Sequence, residues 1–254
     1  MSSPIAASVV VPPLRPGECQ VWWARPAPGT RELLALLDTD ERGRCARFHR
    51  DEDRARYLAA HALARLVLAE HLGVPAPALT FHATCRHCGA RDHGKPRLGV
   101  AGGGLEFSLS HSGARVVLAV ARDAAVGVDV ERLNAQRDFA ALVPAVLSAA
   151  ERPAVAALPD AERANAVLRY WTRKEALLKA TGYGLGIAPP ALTVTAPDAP
   201  PALVAWEARP PLDGAAHLFD LRPGAGHVAS LAILGRRLAV VEHDGDGLLA
   251  ASSG

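Results

Sequence analysis

Acidic residues in the middle of the chain have the type and spacing of a divalent-metal site. Asp129 and Glu131 are two residues apart in VGVDVE (126–131), a segment typical of a short β-strand. Side chains at i and i+2 share one face of a strand, so the two carboxylates point the same way. Like charges so close call for a metal or a basic partner to neutralise them. Mg2+ prefers carboxylate, phosphate and water oxygens, so a metal site that handles phosphate is the chemistry to expect.

A third carboxylate, Glu175, lies in WTRKEALLKA (171–180), which is typical of a helix. Trp171, Glu175 and Lys179 are spaced by four and therefore share one helix face. We interpret Glu175 as the remote ligand that completes the metal site. The alternative is that Glu175 and Lys179 form an ordinary exposed helix pair, worth a few tenths of a kcal/mol, beside two solvated strand acids.

The elements that must position these residues are two long helices and several short strands. The patterns predict helices over 30–40, 53–73 and 160–182, a capping box at Ser148 and Glu151, and a frayed end from about 244. Helices and strands segregate, which favours an α+β fold. The predicted strands cover 18–24, 78–84, 105–112, 115–121, 126–131, 191–196, 202–208, 217–222 and 227–235.

Composition excludes several classes of protein. The formal net charge of the 254-residue chain is +2, too small for a general nucleic-acid binder. No segment approaches the roughly 20 apolar residues of a membrane helix, and the N-terminus lacks a signal-peptide pattern. Cys19 and Cys45 are isolated, which argues against a secreted disulfide framework. We therefore expect a soluble cytoplasmic protein with no nucleic-acid or membrane partner.

Four blocks in order resemble the Sfp-type 4'-phosphopantetheinyl transferases, over the chain from about 42 to 186. They are HGKPRL (93–98), FSLSHSG (107–113), VGVDVERL (126–133) and WTRKEALLKATGYGL (171–185). Each block is weak alone, but four in order are a strong signal. The resemblance implies a monomeric pseudo-dimer of two similar α+β subdomains, each a small antiparallel sheet with a long helix. The expected division is a flexible tail (1–17), an N-terminal subdomain with the coenzyme A-binding loops (18–123) and a C-terminal subdomain with the acids and the long helix (124–254).

The resemblance also implies an activity, that of a holo-[acyl-carrier-protein] synthase. Such enzymes transfer 4'-phosphopantetheine from coenzyme A (CoA) to a serine of an apo acyl- or peptidyl-carrier protein and release adenosine 3',5'-bisphosphate. Polyketide and nonribosomal peptide biosynthesis are among the pathways served. Mg2+ or Mn2+ would be held by Asp129, Glu131 and Glu175. Glu175, or a water on the metal, is the candidate general base.

Residue by residue, the resemblance assigns CoA contacts to Arg44, Arg56, Lys95, Ser110 and His111, and a phosphate or catalytic role to Lys179. Tyr57 stands where relatives often have Thr. A surface-turn lysine and a solvated, mixed-charge helix face are the bland alternatives for Lys95 and for the arginines. The segment 132–152 is the expected carrier-protein dock. It includes the basic or apolar residues Arg132, Arg137, Phe139, Leu142, Val143 and Leu147.

Cys85 and Cys88, with His93 nearby, have the spacing of half a structural zinc site. Two reduced cysteines in a loop are the alternative. If zinc is bound there, we expect it to stiffen the loop that carries Lys95 and to take no part in transfer.

Three other functions fit parts of the pattern. A non-catalytic CoA-binding module would use the acids structurally. A metal-dependent phosphohydrolase would cleave CoA without a carrier protein. A zinc-binding interaction protein would depend on Cys85 and Cys88 and tolerate the loss of Glu175.

Overall fold

The computed structural model describes residues 10–26, 29–83, 89–90, 94–99, 103–134 and 138–252. The helices and strands in these ranges are, in chain order, β1 (Glu18–Ala24), α1 (Arg31–Leu36), α2 (Thr39–Ala46), α3 (Asp51–Leu72), β2 (Phe81–Ala83), β3 (Pro96–Leu98), β4 (Leu105–Ser112), β5 (Arg115–Arg122), β6 (Val126–Arg132), α4 (Phe139–Val146), α5 (Arg152–Ala156), α6 (Asp160–Thr181), β7 (Leu192–Val194), β8 (Leu203–Trp206), β9 (Ala216–Asp220), β10 (His227–Leu234), β11 (Ala239–Asp244) and α7 (Asp246–Ala251).

Two main sheets organise the chain. The N-terminal sheet has the strand order β11–β1–β5–β4, and the C-terminal sheet has the order β6–β10–β9. Strands β2–β3 and β7–β8 form two small hairpins. Helices and strands are segregated along the chain, so the predicted α+β class is confirmed. The pair β1–β11 is parallel, whereas the other paired strands are antiparallel.

The sequence predicted a frayed end from about residue 244, and the structure differs from this prediction. Strand β11 pairs with β1, and α7 places Leu248 and Leu249 in the same core as α3. Strand β11 is an exposed edge without apolar alternation, and its position depends on a partner more than 200 residues away. The predicted subdomain boundary between residues 123 and 124 stays a prediction. The last segment of the chain, β11 and α7, lies with the N-terminal sheet although it follows that boundary in the sequence.

Helix α3 covers the N-terminal sheet and ends at Gly73, whose φ of 65° gives the left-handed C-cap. Helix α2 is separate from α1, because Asp38 starts it with a capping box to Glu41. The buried Arg65 of α3 donates to both of these carboxylates and so fixes α2 on α3.

Helix α6 lies directly on β6 in the C-terminal half. Gly127 makes this contact close, because a Cβ there would overlap backbone atoms of Ala176 and Ala180. The opposite face of β6 places Val126, Val128 and Val130 in a core shared with β1 and β5. Strand β6 is therefore buried on both faces, and the face of Gly127 looks toward α6. None of the described helices is long and apolar enough to cross a membrane.

Candidate active site

Strand β6 presents its two acids to α6. Asp129 and Glu131 follow Gly127 at alternate positions, so all three lie on the face covered by the helix. Asp129 is only 5% exposed, and Glu131 is half-buried nearer the strand end. The predicted sharing of one face is what the structure shows.

Glu175 meets these acids from α6 and is only 8% exposed. Burial raises the pKa of its carboxyl to about 7, the charges of Asp129 and Glu131 act in the same direction, and the charge of Lys179 opposes them. The two acids can act on Glu175 only because all three carboxyls lie near one another. The structure therefore brings together the three residues that the sequence proposed as ligands.

Two carboxyl oxygens at this place are buried without a hydrogen-bond partner among the described residues, Oδ2 of Asp129 and Oε1 of Glu175. Buried polar atoms are nearly always paired, so two orphans in one place point to a missing ligand. Among the residues the structure describes, no group of three His, Cys, Asp or Glu side chains is placed so that it could already hold a metal ion. Asp129, Glu131 and Glu175 therefore do not form a closed cage.

Lys179 points at the strand and not at Glu175, its neighbour one turn back on α6. Its Nζ donates to Oδ1 of Asp129 at 2.7 Å and to the carbonyl oxygen of Val128 at 3.1 Å. The exposed Glu175–Lys179 pair considered from the sequence is therefore absent from the helix surface. The site instead holds three acids with one lysine.

Strand β4 borders the site with Ser110 and His111. The hydroxyl of Ser110 donates to Oδ1 of Asp129 at 2.9 Å and accepts from the backbone N–H of Val130 at 3.3 Å. Desolvation lowers the pKa of the His111 imidazole to about 4, and the charges of Lys179 and Arg56 act in the same direction. His111 therefore lies near both cations.

Arg56 and Lys95 reach the site from the N-terminal half. Arg56 donates to the carbonyl oxygen of Gly113 at 3.3 Å and pairs with Asp53. The side chain of Lys95 is only 7% exposed, and its Nζ donates to the carbonyl oxygen of Val126 at 2.9 Å and to Glu106 at 3.2 Å. The alternative of a surface-turn lysine does not hold, because Lys95 folds back onto the start of β6.

Two cavities meet at this place. A cavity of about 630 Å3 is lined by Lys95 from the N-terminal half and by Glu175, Lys179 and Tyr183 from the C-terminal half. A second, of about 490 Å3, is lined by residues of the N-terminal half that include Arg44. Pro96 and Leu109 border both cavities, so Glu175 opens into a space between the two halves.

Comparison with known proteins places this geometry in a family. Residues 125–231 match the 4'-phosphopantetheinyl transferase superfamily, and residues 22–123 match the 4'-phosphopantetheinyl transferase N-terminal family. The 4'-phosphopantetheinyl transferase HetI of Nostoc sp. is 33% identical over 83% of this chain and 84% of its own length. The chain belongs to the 4'-phosphopantetheinyl transferase superfamily.

Other relatives of this transferase are more distant. A 4'-phosphopantetheinyl transferase of Bacillus subtilis is 27% identical over 66% of this chain and 70% of its own length. A solved holo-(acyl-carrier-protein) synthase of Bacillus anthracis, in complex with CoA (3',5'-ADP), is 20% identical with a TM-score of 0.38, over 43% of this chain and 94% of that one. The resemblance drawn from the four sequence blocks is confirmed, and with it the activity of a phosphopantetheinyl transferase.

Sequence reasoning missed how the transferase holds Glu175 in place. The three residues before it, Thr172, Arg173 and Lys174, are fully buried. Thr172 bonds Ser230 at 3.0 Å, Arg173 donates to Asp220 at 2.7 Å, and Lys174 donates to the buried Glu151. Successive helix residues point in different directions, so these contacts fix both the position and the rotation of α6.

Arg44 lies apart from the acids, so its role as a CoA contact stays a prediction, and Tyr57 is turned into the core. Arg44 is exposed and lines only the second cavity, apart from the acids. The hydroxyl of Tyr57 is buried without a described partner, and its ring stacks on His61 with centroids 4.0 Å apart. Tyr57 thus fills the core beside α2, which explains why it cannot serve as an open hydroxyl contact.

The expected carrier-protein dock and the predicted capping box have different outcomes. Leu147 is fully buried in the C-terminal core, so it is not part of a docking surface, and Phe139, Leu142 and Val143 pack partly against the same core. The predicted capping box is half formed, because Glu151 accepts from the backbone N–H of Ser148 while the Ser148 hydroxyl accepts from Thr193. Cys85, Cys88, His93 and Arg137 lie outside the described residues, so the zinc site stays a prediction.

The pKa of Glu175 predicts a pH-dependent cost in stability. The pKa of Glu175 rises on folding from 4.5 to about 7. Below pH 4.5 the carboxyl is protonated in both the folded and the unfolded state, so stability is unaffected, and the folded state loses stability as the pH rises toward 7. The full loss is about 3 kcal/mol. Glu175→Gln should therefore unfold at higher denaturant concentration than the wild type at pH 8 without metal, and the gap should close near pH 4.5. Glu162→Gln, an exposed change on the same helix, should show no such trend.

Proposed function

We propose that this chain transfers 4'-phosphopantetheine from CoA to a serine of an apo acyl- or peptidyl-carrier protein and releases adenosine 3',5'-bisphosphate. In this proposal a divalent metal, Mg2+ or Mn2+, is held by Asp129, Glu131 and Glu175. One observation carries it: Oδ2 of Asp129 and Oε1 of Glu175 are buried without a hydrogen-bond partner among the described residues, and the charges of Asp129 and Glu131 both act on Glu175.

The residues fit such a metal in both charge and chemistry. Three carboxylates around Lys179 leave a net negative site, which a dication neutralises. Mg2+ binds through a few carboxylates with substrate phosphates and water, so an open set of acids suits it better than a closed cage. When bound, the metal supplies charge neutralisation on the diphosphate and stabilises the leaving phosphate.

Protein cations around the acids fit the phosphates of CoA. Lys179 binds the same carboxylate as the proposed metal, and Arg56 and Lys179 both act on His111. Ammonium and guanidinium groups recognise phosphate oxygens by charge-assisted hydrogen bonds. We therefore assign Lys179, Arg56, Lys95 and His111 to phosphate binding, with Lys179 nearest to the reacting diphosphate.

Glu175 also fits the proton chemistry of the step. The carrier serine must lose its hydroxyl proton as its oxygen attacks the phosphorus that bears pantetheine. Burial and neighbouring acids raise the pKa of Glu175 to about 7, which suits a group that accepts a proton near neutral pH. Glu175 is therefore one candidate base, and a metal-bound water is the other.

The decisive test is the mass of an apo carrier protein after incubation with the enzyme, CoA and Mg2+. We expect a gain of about 340 Da, the mass of the attached arm, and no gain with EDTA. A non-catalytic CoA-binding module would give no mass gain under any condition. A phosphohydrolase would cleave CoA when the carrier is omitted. Either of these results would overturn the proposal.

Lys95→Ala should raise KM for CoA about tenfold with little change in kcat, because a phosphate contact that is equal in ground and transition states contributes only to binding. Arg97→Ala is the matched control, since Arg97 contacts the same Glu106 from the neighbouring strand. Steady-state transfer kinetics at saturating carrier protein separate the two constants. A large loss of kcat with unchanged KM would contradict this role for Lys95.

We further propose a cytoplasmic monomer that serves carrier proteins of polyketide or nonribosomal peptide synthesis. The carrier surface beside the target serine is expected to be acidic, so the exposed Arg132 at the end of β6 is a basic candidate for contact. A panel of apo carrier proteins in the mass assay would rank them as substrates.

A further inference from the structure

Three serines at alternate positions of β4 lie along the edge of β6 that does not pair with β10. The hydroxyl of Ser108 accepts from the N–H of Val128 at 3.1 Å, and that of Ser110 accepts from the N–H of Val130 at 3.3 Å. The hydroxyl of Ser112 accepts from the N–H of Arg132 at 3.0 Å. These side chains therefore replace a backbone ladder between the two sheets.

Two of the three hydroxyls also donate a hydrogen bond to a carboxylate of β6, whereas Ser108 has no carboxylate beside it. Ser110 donates to Oδ1 of Asp129 at 2.9 Å, and Ser112 donates to Oε2 of Glu131 at 3.1 Å. Ser108 lies beside Gly127, which has no side chain to accept a hydrogen bond. Each acid is thus bonded by the serine that also bonds the next backbone N–H of its own strand.

We propose that Ser112 is a positioning residue that fixes the carboxylate of Glu131 as a metal ligand, an inference that rests on the proposed metal site. One hydroxyl ties the carboxylate to the backbone beside it, so the side chain has little freedom to turn away. Groups that orient a ligand in this way commonly change metal affinity by 10- to 100-fold when removed.

The test is a titration of the metal-free protein with Mn2+, with the free ion followed by electron paramagnetic resonance. This readout needs neither CoA nor a carrier protein. Ser112→Ala should raise the Kd for Mn2+ about tenfold, and Ser112→Thr, which keeps the hydroxyl, should restore it. Ser108→Ala removes the equivalent bond to a β6 N–H, so it should lower thermal stability and leave the Kd unchanged.

The outcomes separate this inference from the proposed function. Wild-type Mn2+ affinity in Ser112→Ala, together with weak binding by Glu131→Gln, would overturn the role of Ser112 and leave the metal site standing. Equal weakening by Ser108→Ala would assign the effect to strand stability and would also overturn it. If the wild type bound no Mn2+ at all, the metal site and the role of Ser112 would both fail, and the mass assay with EDTA would show whether transfer itself survives.

Discussion

Asp129→Asn is expected to lower kcat/KM for carrier modification by about a thousandfold, equivalent to about 4 kcal/mol of transition-state stabilisation. Asp129 is the acid that joins the site together: it lies beside Glu175, accepts from Lys179 at 2.7 Å and accepts from Ser110 at 2.9 Å. The amide keeps the shape of the side chain but removes the charge that a metal needs. Initial rates of the mass shift, at increasing Mg2+, measure the effect.

The control for this variant is the fold. Asn can keep one hydrogen bond with Ser110, so circular dichroism and the thermal midpoint should stay close to those of the wild type. Glu162→Gln, exposed on α6, should keep full activity. Transfer by a folded Asp129→Asn protein at the wild-type rate would remove Asp129 from the metal site.

Lys174→Met should destabilise the protein by about 3 to 5 kcal/mol, the usual cost of leaving a buried charge without its partner. Lys174 and Glu151 are both buried, and Lys174 also donates to the carbonyl oxygen of Val146 at 2.8 Å. Burial lowers the pKa of Lys174, and its bond to Glu151 opposes that shift. The pair therefore joins α6 to the turn before α5, and its loss should be visible in urea unfolding.

A double-mutant cycle isolates this pair from the packing of the methylene stem. Glu151→Gln alone and together with Lys174→Met should give a coupling energy above about 1 kcal/mol. Arg163→Met breaks an exposed pair with Asp160 and two exposed hydrogen bonds to the carbonyl oxygens of Leu158 and Ala156, so it should cost less than Lys174→Met. A Lys174→Met variant as stable as Arg163→Met would show that the buried pair does not hold α6.

The local parts of the site could be predicted from the sequence because they depend on short-range geometry. Alternation along a strand placed Asp129 and Glu131 on one face, and the four-residue spacing along a helix placed Glu175 and Lys179 near each other. Neither the strand alternation nor the helix spacing could show that the strand pair and the helix pair lie next to each other. That prediction depended on four blocks in a known order, and the structure supplies the physical reason in Gly127, which lets α6 approach β6.

The parts that sequence reasoning missed are set by contacts between distant segments. Thr172, Arg173 and Lys174 resemble a solvated helix turn in type, yet partners 23 to 58 residues away bury them. Strand β11 has its partner at the other end of the chain. Lys95 folds inward because the carbonyl oxygen of Val126 accepts a hydrogen bond from its Nζ, a contact that leaves no signal in the local sequence. Tertiary partners decide these cases over local propensity.

In the proposed function, Asp129, Glu131 and Glu175 bind one divalent cation together with the diphosphate of CoA. Anomalous diffraction from crystals soaked with Mn2+ and CoA tests it most directly. We predict a single strong peak within coordination distance of a carboxyl oxygen from each of the three side chains and of the diphosphate. A peak elsewhere, or a diphosphate bound with no metal beside these acids, would contradict the account.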